Sequence, residues 1–228
     1  MTTPNAMPLD KAAVQVLVLF YSRHGSVQAV AEQIAFGVQA AGGEAILRTV
    51  PELILPDAHN AAGSVSQGQA SLETSQRRHE PQLYPFVTMD ELTQCHALAM
   101  GSPVRFGMMA APLKAFWDTT SASWLKGSLI DKPAAVFTSS SSMHGGNEAT
   151  LLGMMLPLLH HGMVIMGVPY DTPALHQTQS GGTPYGASHV EAARRSGQNT
   201  LQPLSMHEIA IARRLGERLT RMAQQLYR

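Results

Sequence analysis

Val16-Leu17-Val18-Leu19-Phe20-Tyr21-Ser22-Arg23-His24-Gly25-Ser26-Val27 changes its apolar period part-way along. Residues 16–20 are continuously apolar, as in a strand buried on both faces. Beyond Ser26 the apolar positions are Val27, Val30, Ala31, Ile34 and Val38, which is helical spacing. Between the two lies a short polar turn with one glycine. A parallel strand therefore hands over to a helix N-terminus, where free N–H groups and the helix dipole favour an anion. The hydroxyls of Ser22 and Ser26 offer two further donors. The turn reads as a phosphate cradle, with an ordinary strand-to-helix connection as the plainer alternative.

Working outward, strand and helix patterns alternate. Strands are expected over residues 15–21, 45–50, 97–100, 134–139 and 163–167. Helices are expected over 27–41, a short stretch before Cys95, 110–119, 147–161 and a final amphipathic segment. Gly42 and Gly43 stop the first helix. Thr88 with Glu91, and Ser205 with Glu208, have capping-box spacing. Pro157 is expected to kink or break the helix that contains it. This alternation indicates a three-layer α/β fold with a parallel sheet. Residues 1–13 read as a loose tail and 14–228 as one domain. Residues 55–84 are rich in small and polar types and form a long inserted loop.

Composition narrows the function. The 228 residues carry 16 Lys plus Arg and 16 Asp plus Glu, so no basic surface for nucleic acid is indicated. Only 14% of residues are charged and 44% are apolar, which points to much buried surface, on a second sheet face or in subunit contacts. Cys95 is the only cysteine, so no internal disulfide forms and a reducing compartment is expected. Residues 14–21 are too short to span a bilayer and have no charged leader, so a cytoplasmic protein without membrane insertion is expected.

In parallel sheets, ligands bind beyond the carboxyl ends of the strands. If the strand order is 2-1-3-4-5, three turns line one mouth, which suits a phosphorylated planar ligand such as FMN. The first turn has neither the G-x-G-x-x-G nor the P-loop pattern, so a mononucleotide fits better than NAD or ATP. The second, Ser102-Pro103-Val104-Arg105-Phe106-Gly107-Met108, offers backbone donors to a polar ring edge. Its Arg105 is either support for a negatively charged reduced ring or a solvated loop cation. The third, Ser139-Ser140-Ser141-Ser142-Met143-His144-Gly145-Gly146, has small donors that let a flat ligand approach the backbone. There is no G-x-S-x-G elbow and no Cys/His metal cluster, and Cys95 reads as a small buried thiol.

Five segments then stand together in register: Val16 to Gly25, Gly101 to Gly107, His144-Gly145-Gly146-Asn147-Glu148, Leu159-His160-His161-Gly162-Met163 and Gly181-Gly182-Thr183-Pro184-Tyr185-Gly186. Together they resemble the WrbA-type NAD(P)H:quinone oxidoreductases of the flavodoxin-like superfamily, over about residues 15 to 227. The resemblance implies a flavodoxin-like sandwich with five parallel strands in the order 2-1-3-4-5. It implies an FMN-dependent enzyme that takes a hydride from NADH or NADPH and reduces quinones by two electrons. Because one ring face must serve both donor and acceptor, a ping-pong pattern is expected. FMN contacts would come from Ser22, Arg23, His24, Gly25, Ser26 and Val27, from Ser102, Pro103, Val104, Arg105 and Phe106, and from Ser139, Ser140, Ser141, Ser142, Met143, His144 and Gly145. His160 would meet the flavin from a neighbouring subunit, Trp124 would line the substrate side, and the assembly would be a homotetramer. Val27 stands where the flavodoxin phosphate turn usually ends in Thr, and His24 where the nicotinamide contact is often Tyr.

A flavodoxin-like electron carrier is the rival reading, but such carriers are usually acidic and this chain has no net charge. An FMN-binding scaffold without turnover is the third.

Overall fold

The computed structural model describes residues 13–53, 83–191 and 202–227. The expected tail at 1–13 and loop at 55–84 therefore lie almost wholly outside the described residues. Along the chain run β1 (Gln15–Phe20), α1 (Ser26–Ala40), β2 (Glu44–Thr49), α2 (Met89–Gln94), β3 (Ala97–Pro103), α3 (Ala111–Asp118), α4 (Ser121–Leu125), β4 (Pro133–Ser140), α5 (Asn147–His160), β5 (Val164–Ile165), α6 (Ala174–Gln177), β6 (Ala187–Val190) and α7 (Met206–Leu226).

The sheet is parallel throughout, in the order β2-β1-β3-β4-β5, as expected. Two helical layers cover it. Val16, Val18 and Phe20 pack with Val30, Ile34, Leu215 and Leu219 of α1 and α7. Leu17 and Leu19 pack with Leu113, Leu151, Met154 and Leu158 of α3 and α5. Strand parity thus sends alternate side chains of β1 into different cores, which is why residues 16–20 read as an unbroken apolar run.

The centre of the sheet is held by one tight contact. A Cβ on Gly101 would lie 2.1 Å from the ring of Phe137, so that ring occupies the space above a bare position of β3. Phe20 pairs with Gly101 and Gly101 with Phe137, so the three central strands share one row.

The fifth strand differs from expectation. β5 pairs with Pro133 and Ala134, whereas β6 pairs with Phe137 through Ser140. Both lie on the edge of β4 away from β3, so the fifth strand is split in two. The sequence signals only the first half, because Ala187-Ser188-His189-Val190 has no apolar run. Residues 121–125 form α4, which periodicity missed. Pro157 neither breaks nor ends α5, which continues to His160. The proline lies in the last turn, so the missing N–H removes only one bond near an end that frays anyway.

Both capping boxes form. The second reaches further than a cap. Glu208 Oε2 accepts from Ser205 N at 2.7 Å, while Oε1 accepts from Gly181 N at 2.9 Å and Val190 N at 3.0 Å and lies 3.1 Å from His189 Nδ1. One buried carboxylate therefore ties α7 to β6 and to the glycine pair before it. Burial alone would raise its pKa, but these hydrogen bonds prevail and lower it from 4.5 to about 2. Because the folded value is depressed, the stabilisation is complete above the unfolded value and is lost as pH falls toward 2. Replacing Glu208 with Gln is expected to cost about 1–3 kcal/mol at neutral pH. The variant should also lose less stability than the parent between pH 5 and 3. Urea melts at the two pH values check both outcomes.

Candidate functional site

β1, β3 and β4 end at nearly the same height, with Pro103 opposite Ser139. Each delivers a turn to the same rim. In the first turn, Gly25 is the N-cap of α1 with φ +90°, a conformation that suits glycine. Ser22 Oγ accepts from Gly25 N at 3.1 Å and Gln28 N at 3.3 Å. Ser22 is therefore first an acceptor that caps α1, where the sequence suggested only a donor. Its own proton remains available. Ser26 and Val27 supply first-turn N–H groups that lie ahead of any intrahelical acceptor. The hydroxyl of Ser26 donates to Glu191 Oε2 at 2.6 Å.

The second turn is a tight hairpin. Arg105 and Met108 exchange two backbone bonds of 2.9 and 3.0 Å. The two residues between them are left-handed, Phe106 at φ +53° and Gly107 at φ +76°. Phe106 is fully exposed at the tip. A left-handed phenylalanine costs roughly 1–2 kcal/mol, strain of the kind found at ligand clamps. Arg105 Nη1 donates to Val104 O at 2.8 Å, folding the guanidinium along its own loop. Ser102 is buried beneath the turn, where its hydroxyl accepts from Ala110 N at 2.7 Å.

The third turn closes on itself. Ser140 Oγ donates to Ser142 O at 2.7 Å, and Gly145 N donates to the same carbonyl at 3.0 Å. Gly146 starts α5 at φ +95°, and a Cβ there would stand 3.3 Å from Gly107 Cα. The second and third turns are thus in backbone contact.

These turns enclose a cavity of about 350 Å³. Its walls are Ser22, Arg23, His24, Ser26 and Val27 from the first turn and Pro103, Val104, Arg105 and Phe106 from the second. Ser139, Ser140, Ser141 and Gly145 come from the third, and Glu191 completes the lining. Gly25 and Ser102 shape these walls from behind. Ser142, Met143 and His144 are exposed and do not line the cavity. Glu191 was not foreseen, because it follows the unrecognised strand β6. A polar strand after Gly181-Gly182 was the only available signal.

Trp124 and His160 lie elsewhere in the chain. Trp124 Nε1 donates to His160 O at 2.8 Å, and both line a second cavity of about 420 Å³ with Trp117, Leu156 and His161. His161 is buried and lies 2.9 Å from Thr120 Oγ1. Burial, with a contribution from His160, pushes its pKa below the ordinary histidine range. α5 begins at the first cavity and ends at the second. Its 14 residues span about 21 Å, so the two sets do not meet around one ligand within a single chain.

Among the described residues, no group of three His, Cys, Asp or Glu side chains can hold a metal. Burial pushes the Cys95 thiol up to about 11, consistent with an inert structural role. No helix of the described chain is long and apolar enough to cross a membrane.

Residues 14–171 match the family model of NADPH-dependent FMN reductases. The chain belongs to that family. A curated relative from Geotalea daltonii, named NAD(P)H dehydrogenase (quinone), is 39% identical over 93% of this chain and 98% of its own length. A relative of the same name from Geobacter sulfurreducens is 38% identical over 93% and 99%. Among solved structures, a flavodoxin described as a WrbA-like protein from Agrobacterium tumefaciens aligns with TM-score 0.61 at 19% identity, over 93% of this chain and 99% of that one. An archaeal flavodoxin aligns with TM-score 0.56 at 17% identity, over 92% and 99%. These two likenesses establish the flavodoxin-like fold. The family match holds all three turns but ends before β6 and Glu191.

Replacing Gly146 with Ala places a side chain at a left-handed position and against Gly107. The variant is expected to lose roughly 1–2 kcal/mol. Thermal unfolding measures the loss, and undiminished stability would mean that the two turns are not in contact.

Proposed function

We propose that the chain is an FMN-dependent NAD(P)H dehydrogenase that reduces quinones, with FMN held in the cavity between the three turns. The observation that carries this reading is the convergence of those turns on the N-terminus of α1. The residues present fit the cofactor. A helix start with unbonded N–H groups suits a phosphate. Small serines and Gly145 allow close approach of a flat ligand. The exposed Phe106 offers a ring to a planar neighbour.

Bound there, FMN supplies the two-electron hydride chemistry that links a nicotinamide donor to a quinone acceptor. The chain binds and orients. Ser22, Arg23, Gly25, Ser26 and Val27 form the phosphate turn. Ser139 to Ser141 and Gly145 hold the middle of the ligand, and Pro103 to Phe106 border its ring, with Ser102 fixing that turn from below. The guanidinium of Arg105 offers positive charge at the ring edge. His24 stands exposed at the rim, where a nicotinamide donor can reach it, and Ser142, Met143 and His144 form the outer lip.

Trp124 and His160 complete the pocket from a neighbouring copy. Leu152, Leu156 and Leu159 form an exposed apolar stripe on α5, and the exposed Met108 and Ile130 flank it in space, beside Gly153 and Gly162. Such a surface suits burial against further copies, and we assign a homotetramer. The single free cysteine suits a reducing compartment, and we place the enzyme in the cytoplasm as one domain.

Replacing Gly25 with Val is expected to weaken FMN binding roughly tenfold or more, because a β-branched residue resists φ +90° by about 1–2 kcal/mol. Unchanged affinity in a fluorescence titration would put the phosphate elsewhere. With the other ring face and the ring edge taken by the three turns, one flavin face would serve both substrates, so initial rates at several quinone concentrations should give parallel double-reciprocal lines. Trp124→Ala should raise KM for quinone. Intersecting lines would mean that both substrates bind together.

A further inference from the structure

We propose that Glu191 competes with the phosphate of the ligand for the cradle, and so sets how strongly the site prefers a phosphorylated flavin over an unphosphorylated one. This rests on the FMN reading above. The backbone of Glu191 is held by the sheet, since its N–H donates to Ser140 O at 2.8 Å and continues the β6–β4 ladder by one residue. Its carboxylate reaches the first residue of α1. There Oε2 accepts the Ser26 hydroxyl at 2.6 Å, the length of a charge-assisted O–H···O⁻ bond.

Ser26 has one hydroxyl proton. It cannot serve the carboxylate and a phosphate together. The helix start contributes roughly half a positive charge, whereas a phosphate monoester carries about −1.5 to −2 at neutral pH. Glu191 is the only carboxylate among the described residues lining the cavity. Facing it there are Arg23 and His24 of the first turn and Arg105 of the second, while the third turn presents serines and Gly145. Behind it on β6, His189 is engaged by Glu208. A phosphorylated ligand must therefore take Ser26 from the carboxylate and tolerate its charge nearby. A riboflavin lacks the phosphate and meets neither cost.

The test uses Glu191→Gln, which keeps shape and backbone bonding but removes the charge, with Glu191→Ala as a second variant. FMN and riboflavin are titrated separately into flavin-free full-length protein and followed by flavin fluorescence. FMN affinity is expected to rise about tenfold in Glu191→Gln, given the size of a single nearby charge–charge interaction at effective protein dielectric. Riboflavin affinity should stay where it was. In parallel, inorganic phosphate is added to flavin-free protein during thermal unfolding. Both variants should be stabilised at lower phosphate concentration than the parent. Unchanged or weaker FMN binding in both variants would overturn the proposal, as would an equal gain for riboflavin. If neither flavin binds any of the proteins, the FMN reading fails by itself. The phosphate arm then decides alone, a lowered phosphate requirement supporting competition and an unaltered one refuting it.

Discussion

Phe137 fills the space that a side chain on Gly101 would need, and the geometry of the site follows from that contact. The ring belongs to the core shared with Val18, Phe20 and Val30. It can sit there only because β3 carries no side chain at that position. With Phe20 paired to Gly101 and Gly101 to Phe137, the central strands are held in one row. Tyr21 N then donates to Gly101 O at 3.0 Å and Val104 N to Ser139 O at 2.9 Å, carrying that alignment to the rim. Three turns of unrelated sequence can therefore face one ligand. A slip of one residue in any pairing would turn its strand's side chains to the opposite face and lift one wall of the cavity.

Few formal charges line the cavity between the three turns. In the proposed FMN site the phosphate would meet backbone N–H groups and hydroxyls, arranged by a capping serine and a left-handed glycine. Such donors are fixed in place by the fold and need little reorganisation when a ligand arrives. The cations Arg23 and Arg105, like the imidazole of His24, stand on the turns rather than beneath them. Neutral donors would suit a site proposed to accept uncharged quinones as well, since a strongly charged pocket would remain hydrated.

Much of this was legible in the sequence for local reasons. The apolar run 16–20 and the helical spacing after Ser26 each follow from one period, and both capping boxes depend on residues three apart. The strand order and the three-turn mouth then follow from rules about parallel sheets. Long-range features were not legible. Strand β6 is a strand because β4 offers it an edge and Glu208 binds its backbone, and neither partner is near it in sequence. Glu191 was missed for the same reason. Ser22 was seen as a donor, but its role as an acceptor requires the path of the chain through Gly25 to Gln28. Pro157 was judged by residue type alone, whereas its effect depends on its place in the last turn. Trp124 and His160 were grouped with the mouth by resemblance, and only the length of α5 shows that one chain separates them.

The divided fifth strand bears on how much chain length the molecule can absorb. Among the described residues each half has a single neighbour, β4, so the interruption breaks no second ladder there. Chain inserted between residues 166 and 186 would leave the pairings at Pro133–Ala134 and Phe137–Ser140 in register. The same insertion inside β3 would sever contacts on two sides. The margin of the sheet is therefore the place where a graft or an evolutionary insertion can be accommodated, and its downstream end returns to the rim of the ligand cavity.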